Sequence, residues 1–356
     1  MESADARRTP MHDASDLLHL SRDSLARTFW CFTPSAAEEG PVSHVELPTT
    51  TAFVATATER SGVGLYAARA IRAGERLITE APLATWSVPV NSSNAEKSAS
   101  FEAMTAKLPQ QTKKAILKLS QSSIHGDVQS LLGTWQTNGL PINFESTTCP
   151  GTTTREQASK EEAAIFATVC RLNHACRPNC HAEWNGISGK ETVHALVDIP
   201  AGEELTIRYL APGGLERRER RAELRANHGF NCCCATCELR GDALATSEAR
   251  QRAIGASKPT AAEGKLPLAE QMKRLDVRLA LMRDEGLPAL WGWRPVLYYM
   301  ASASVAELRR DPSQAMLKRA KSWAERARDV MCLAMGADHP ASEFLATFLH
   351  KITRAS

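Results

Sequence analysis

Cys232, Cys234 and Cys237 stand in a C-x-C-x-x-C pattern. Three thiolates that close are soft metal ligands, and a tetrahedral zinc site needs a fourth. Cys176 and Cys180 are the upstream candidates; six of the ten cysteines fall between Cys176 and Cys237. With four protein ligands zinc keeps no open position, so such a site would hold geometry and not activate water. Cys233, between two ligands, should point away. Two other groups share this stretch. Asn173 and His174 precede Cys176 in N-H-x-C-x-P-N, and Tyr209 closes G-E-E-L-x-x-x-Y, ahead of Phe230 in F-x-C-x-C-x-x-C. Taken singly, such a histidine is an ordinary structural residue, and a buried tyrosine is core with its hydroxyl hydrogen-bonded. The ordered company of the three segments raises them above that.

The whole chain sets bounds on this chemistry. At 356 residues it can bury a full core and hold two domains or more. A formal net charge of +3 is too small for an electrostatic nucleic-acid binder, and no reading-helix motif is present, so sequence-specific DNA binding is not expected. No run of 18 apolar residues occurs, so no membrane span is expected. The first residues lack the apolar stretch of a secretory signal, which implies an intracellular protein, nuclear or cytoplasmic. Thiols stay reduced there, and clustered cysteines are metal ligands sooner than disulfides. Cys31, Cys149, Cys170 and Cys332 are scattered and are assigned as small buried hydrophobes.

The elements that must position these residues follow in order. Residues 1–50 are polar and patternless and form a loosely attached leader. Strand-prone segments begin at residue 51, with a glycine turn at 61–64. The sequence I-x-A-G-E occurs twice, at 71–75 and 199–203, each time before a short strand, which suggests two similar hairpins. Residues 91–100 form a polar break, and 101–107 and 110–120 are helical. Ile165, Phe166, Val169 and Leu172 fall on one face at 3.6-residue spacing, which predicts a helix over 156–172. Residues 181–184 and 192–197 form a hairpin, and 205–210 a strand with Tyr209 on its apolar side. Residues 215–227 form an arginine-rich helix, expected as a solvated face paired with glutamates, with an acidic-partner patch as the other reading. Residues 241–265 form a small polar linker. The remainder is helical, with Met316, Ala320, Trp323, Ala327, Val330 and Ala334 making a packing seam. That tail either buttresses the β domain or binds a partner.

The order and spacing of the three segments resemble a SET-domain protein lysine methyltransferase with a cysteine-rich post-SET segment. The helical insert and tail resemble the SET- and MYND-domain subfamily, without its MYND finger, and the SET proteins frequent in fungi. The match covers roughly residues 51–240. The resemblance implies an α+β fold: a β-rich SET domain of short hairpins at 51–212 with a helical insert at about 91–170, a zinc-binding post-SET at 213–240, and a helical C-terminal domain at 266–356. It implies that Gly62, Gly64 and Leu65 line an S-adenosylmethionine site with backbone. Asn138, Asn173 and His174 would hold that cofactor, Tyr209 would be catalytic, and Phe230 would stack near the adenine. Cys176, Cys232, Cys234 and Cys237 would bind zinc, with Cys180 the rival for Cys176. The partner would be a protein or peptide, histone or not, that carries the target lysine. Arg208 departs from the pattern, since an acidic residue is common before the tyrosine, and this implies altered charge near the channel mouth. A catalytically inactive SET-like module that kept its zinc and binds partners through the tail is the alternative reading.

Overall fold

The computed structural model describes residues 52–58, 62–142, 160–211, 213–311 and 313–354. The fold is α+β. Strands β1 (Phe53–Thr58), β2 (Gly62–Ala67), β3 (Arg76–Glu80) and β4 (Ala84–Pro89) open it. Helices α1 (Asn94–Ala106), α2 (Gln110–Ile116) and α3 (Leu131–Asn138) follow as the insert. Strands β5 (Leu140–Pro141), β6 (Lys160–Ile165), β7 (Asn173–His174), β8 (Cys180–Asn185), β9 (Lys190–Ala195) and β10 (Glu204–Ile207) complete three small sheets, ordered β1-β2-β10-β7, β3-β9-β8 and β4-β6-β5. The rest is helical: α4 (Arg217–His228), α5 (Ala235–Glu238), α6 (Gly241–Ala256), α7 (Leu268–Glu285), α8 (Leu290–Trp293), α9 (Leu297–Arg310), α10 (Gln314–Met335) and α11 (Pro340–Arg354).

The two I-x-A-G-E turns do not close hairpins. Each carries the chain from one sheet to another: β2 pairs with β10, and β3 pairs with β9. The turns instead pair with each other. Ile71 and Ile199 exchange two N–H···O bonds of 2.9 Å, and Gly74 and Gly202 both sit at φ +83°, where glycine carries no Cβ penalty. The hairpin expected from residue 181 is present as β8 and β9. The glycine turn expected at 61–64 is strand from Gly62 onward, and residue 61 lies outside the described set.

Two helix assignments change. Residues 160–165 are strand β6, and only Val169–Arg171 turn helically. The apolar spacing that mimics a helix arises because Ile165, Phe166, Val169 and Leu172 all enter the core around a bend. The bend is held from afar: the Glu80 carboxylate accepts the N–H groups of Ala167, Thr168 and Val169 at 2.9–3.1 Å. That cap replaces the bonds a helix would have made. Conversely, the polar stretch at 91–100 begins α1. Ser93 and Glu96 form a capping box, with Ser93 N–H donating to Glu96 Oε2 at 2.7 Å and Glu96 N–H to Ser93 Oγ at 3.3 Å.

The C-terminal helices have their own core around Trp293, Trp323 and Met300 and pack on the β8–β9 face. Of the predicted seam, Met316, Ala320, Trp323, Ala327 and Ala334 are buried, and Val330 is half-buried. The expected linker is helix α6. Its buried residues are Ser247, Gln251 and Ile254, so its inner face is mostly polar. Ser247 Oγ and Gln251 Nε2 donate to Oε1 of the fully buried Glu285, and Arg177 from the 173–180 segment reaches the same oxygen at 3.0 Å. A helix that buries a polar network carries no apolar stripe to betray it. Glu183 on β8 takes a two-pronged ion pair from Arg294 at 2.7 and 2.8 Å.

This interface also buries two neutral histidines. His194 Nε2 accepts from Arg76 Nε at 3.0 Å, and His339 Nδ1 accepts from the Ala341 N–H at 3.2 Å. Their other ring nitrogens are buried without partners. Burial first, then nearby arginines (Arg76 for His194, Arg294 for His339), hold both near pKa 4 against the ordinary 6.5, although Glu183 pulls His339 the other way. A depressed histidine stabilises the fold fully above the unfolded value of 6.5 and loses that contribution as pH falls toward 4. We expect the unfolding free energy to drop by on the order of 3 kcal/mol per histidine across that window. Urea melts at several pH values read this, and His339→Gln should flatten the slope; an unchanged slope refutes the assignment.

Candidate active site and metal centre

The site forms where the 173–180 segment runs beside β10. β7 pairs in parallel with β10, Thr206 opposite Asn173 and Ile207 opposite His174. Asn179 stitches the two further, donating to Glu203 Oε1 and the Glu204 carbonyl and accepting the Thr206 N–H at 2.8 Å. β2 lies on the other side of β10, with Leu65 opposite Leu205. Segments far apart in the sequence thus meet on one short strand.

Asn173 Nδ2 donates to Glu204 Oε1 at 2.8 Å, directly beside Gly64. A Cβ on Gly64 would lie 2.5 Å from that oxygen and 2.8 Å from that nitrogen, so only glycine leaves room for the pair. Gly62 is exposed at φ +69°, with nothing within 4 Å of where a Cβ would stand. Leu65 is fully buried and belongs to the β core.

His174, Tyr209 and Phe230 come together. Ring centroids lie 5.4 Å apart for His174–Tyr209, 6.2 Å for His174–Phe230 and 6.4 Å for Tyr209–Phe230. A fourth ring, which the sequence patterns did not single out, is His228 at the end of α4, 5.0 Å from Tyr209. The Tyr209 N–H donates to His174 Nδ1 at 3.0 Å, which puts the imidazole proton on Nε2, 3.5 Å from Cys176 Sγ. Burial, then Arg208, holds His174 near pKa 3, and burial, then His125, holds His228 near 4; both rings are neutral at pH about 7. Tyr209 follows the end of β10, and its hydroxyl donates to the Leu172 carbonyl at 2.7 Å. Burial, with Cys170 and Glu204 adding to it, pushes its pKa above the ordinary 10, so it is a hydroxyl and not a phenolate base. Asn138 is not hydrogen-bonded to this group: its amide donates to the Ser120 and Thr134 carbonyls at 2.6 and 2.8 Å, and its own carbonyl accepts from the Cys170 thiol.

The sulfur atoms of Cys176, Cys232, Cys234 and Cys237 all lie within 4.8 Å of one another. Cys176 Sγ is 4.0 Å from Cys232 Sγ and 3.5 Å from Cys237 Sγ. A regular tetrahedron of thiolates with metal–sulfur bonds near 2.3 Å has edges of about 3.8 Å, so the four sulfurs fit a zinc-sized ion. Cys176, and not Cys180, is the fourth member; Cys180 is buried in the β core on β8, where burial pushes its thiol up to about 12. Cys233 is exposed, turned away from the cluster. Of the cysteines expected to be buried hydrophobes, Cys170 and Cys332 are half-buried, and Cys31 and Cys149 lie outside the described residues.

The arginine-rich helix is not a solvated face. Arg218 and Arg225 are exposed, but Arg220 is buried with Nε 3.2 Å from Cys176 Sγ. Arg221 donates to the Cys232 and Cys237 carbonyls and Arg217 to those of Cys237 and Leu239. The spacing of Arg217, Arg220, Arg221 and Leu224 at i, i+3, i+4 and i+7 was the available signal: it marks one helix face whatever the residue type. Arg208 is also turned inward, with Nη1 donating to the Cys176 carbonyl at 2.6 Å.

Comparison with known proteins agrees with this geometry. Residues 62–210 match the SET domain family. The chain is 44% identical over 80 residues to histone-lysine N-methyltransferase SET5 of Meyerozyma guilliermondii, covering 22% of this chain and 16% of that protein. It is 27% identical over 179 residues to histone-lysine N-methyltransferase set5 of Schizosaccharomyces pombe, covering 50% of this chain and 48% of that one. It is 29% identical over 133 residues to histone-lysine N-methyltransferase SMYD3 of Homo sapiens, covering 37% and 26%. The chain thus spans about half the length, or less, of these relatives. Residues 62–210 are thus similar to a SET domain, and the relatives matched are named as histone-lysine N-methyltransferases of the SET5 and SMYD types.

Proposed function

We propose that this chain is an S-adenosylmethionine-dependent protein-lysine N-methyltransferase acting on a histone or other protein lysine in the nucleus or cytoplasm. One observation carries the reading: β10 gathers Asn173, His174 and Tyr209 beside Gly64, with Phe230 closing the group from the cysteine-rich segment. The relatives' names support the reaction class.

The residues present fit the cofactor. Gly64 has no room for a side chain beside the Asn173–Glu204 pair, and Glu204 holds the Asn173 amide in place. Uncharged rings at Tyr209, Phe230 and His228 suit a cationic sulfonium and an incoming amine, since aromatic faces attract cations and no like charge stands among them. Bound there, S-adenosylmethionine supplies the electrophilic methyl group. The protein's part is to align the lysine amine, strip it of water and favour its neutral form. An apolar ring-lined setting lowers a lysine pKa by desolvation, and fixed geometry supplies much of the rate. In this reading Tyr209 orients the amine through its hydroxyl, while Leu65 shapes the floor from the core. Asn138 would join only through backbone or a turned side chain, given its present bonds. Cys176, Cys232, Cys234 and Cys237 would hold zinc, which fixes the post-SET segment and so the Phe230 wall. We also propose the domain division SET, post-SET and C-terminal helices, with α6 joined to the last.

The test is transfer of a labelled methyl group to a histone panel by the full metal-loaded chain. Methyl-lysine in the product supports the reading. Folded, metal-loaded protein that binds no S-adenosylmethionine by calorimetry would refute it and favour a non-catalytic interaction module.

A further inference from the structure

Two guanidinium groups pack against the cysteine cluster, Arg220 buried and Arg208 half-buried, and among the described residues neither has a carboxylate within ion-pair distance. Arg220, 1% exposed, points Nε at Cys176 Sγ (3.2 Å) and Nη2 at Cys237 Sγ (3.8 Å), with Nη1 donating to the Leu215 carbonyl at 2.8 Å. Arg208 donates to the carbonyls of Cys176 at 2.6 Å and Ala211 at 3.3 Å, and its Nη2 is buried without a hydrogen-bond partner. Its guanidinium carbon lies 5.4 Å from the ring centroid of Trp291 on α8. Taking an isolated charge out of water costs several kcal/mol, so a buried cation needs a compensating anion nearby.

The anion is the cluster itself. Four thiolates around a divalent ion carry a net charge of −2, and two guanidiniums bring the assembly to zero. We propose that Arg208 and Arg220 are positioning residues of the metal centre, a pair of counter-charges that hold the tetrathiolate as a neutral unit, with Trp291 stacked on Arg208. This rests on the reading that the four cysteines hold a metal ion. N–H···S bonds from Arg220 draw electron density from Cys176 and Cys237, which makes those sulfurs poorer targets for protons and electrophiles and slows their departure from the metal. Through Trp291 the C-terminal helices take part in holding the metal, although they supply no ligand.

The test uses the full chain loaded with cobalt(II), whose thiolate-to-metal charge-transfer band reports sulfur electron density. In Arg220→Met the band should move to lower energy, and release to excess chelator should be roughly 10–100-fold faster. Arg208→Met should accelerate release without moving the band as far, because it touches a carbonyl and not a sulfur. Trp291→Leu should give a smaller acceleration. Arg220→Lys keeps the charge and loses the fork, so its release rate should fall between wild type and Arg220→Met. It also carries the test if Arg220→Met does not fold, since its band should still shift. Wild-type release rates and bands in the arginine variants would overturn the counter-charge assignment. A wild-type chain that takes up neither cobalt nor zinc would overturn the metal reading instead.

Discussion

Tyr209→Phe should leave a folded, metal-loaded protein that transfers methyl groups slower by roughly 10²–10³-fold, the cost of losing one positioned donor in a dry site. The fold should survive because little of what Tyr209 contributes to it lies in the hydroxyl. Its backbone N–H bonds His174, and its ring packs against His174, His228 and Phe230; phenylalanine keeps all of these. What is lost is the O–H donating to the Leu172 carbonyl at 2.7 Å, worth about 1 kcal/mol of stability. In the proposed reaction that hydroxyl aligns the amine. Single-turnover transfer of labelled methyl, with metal content measured on the same sample, separates the two effects. A rate within about threefold of wild type would remove Tyr209 from the catalytic role, since so small a change is below the value of one positioned hydrogen bond.

Cys234→Ser should release the metal and unfasten residues 213–240. The apolar core of this region is small: Leu210 and Leu224 beside the cysteines themselves, with Tyr209 and Phe230 at its edge. So little apolar surface cannot hold the segment, whereas a structural zinc site contributes on the order of 10–16 kcal/mol. Loss of the site should therefore show as metal content falling from about one per chain to a small fraction, and as protease cleavage near Phe230. Because Phe230 lies between the metal cluster and the ring group, cofactor affinity should fall in the same variant. Full metal occupancy in Cys234→Ser would refute the ligand assignment.

The contrast between what could be read in the chain and what could not has a consistent physical basis. The C-x-C-x-x-C run, the 181–197 hairpin and the small-residue seam of α10 depend on residues within a turn or two of one another. Spacing alone therefore displayed them. The group around β10 was legible for a different reason: its members sit in three short segments whose internal order is distinctive, although nothing local says that they touch.

Where long-range contacts outweigh local preference, the pattern misled. A helical repeat over 165–172 became a strand and a bend because Glu80, on β3, supplies the cap. The polar stretch at 241–256 became a helix because its serine and glutamine meet Glu285. The arginines of α4 looked solvated because charge normally faces water; only the fold places a tetrathiolate where Arg220 points. Likewise the sequence offered Cys176 and Cys180 as equals four residues apart. The turn after β7 sends Cys176 to the cluster, while the pleat of β8 sends Cys180 into the β core. Residue types settle which chemistry is available, and local periods settle the elements that long-range contacts do not override. Which side chains share a buried charge depends on the meeting of segments far apart in the chain, because burial energy belongs to the assembled site and not to any one segment.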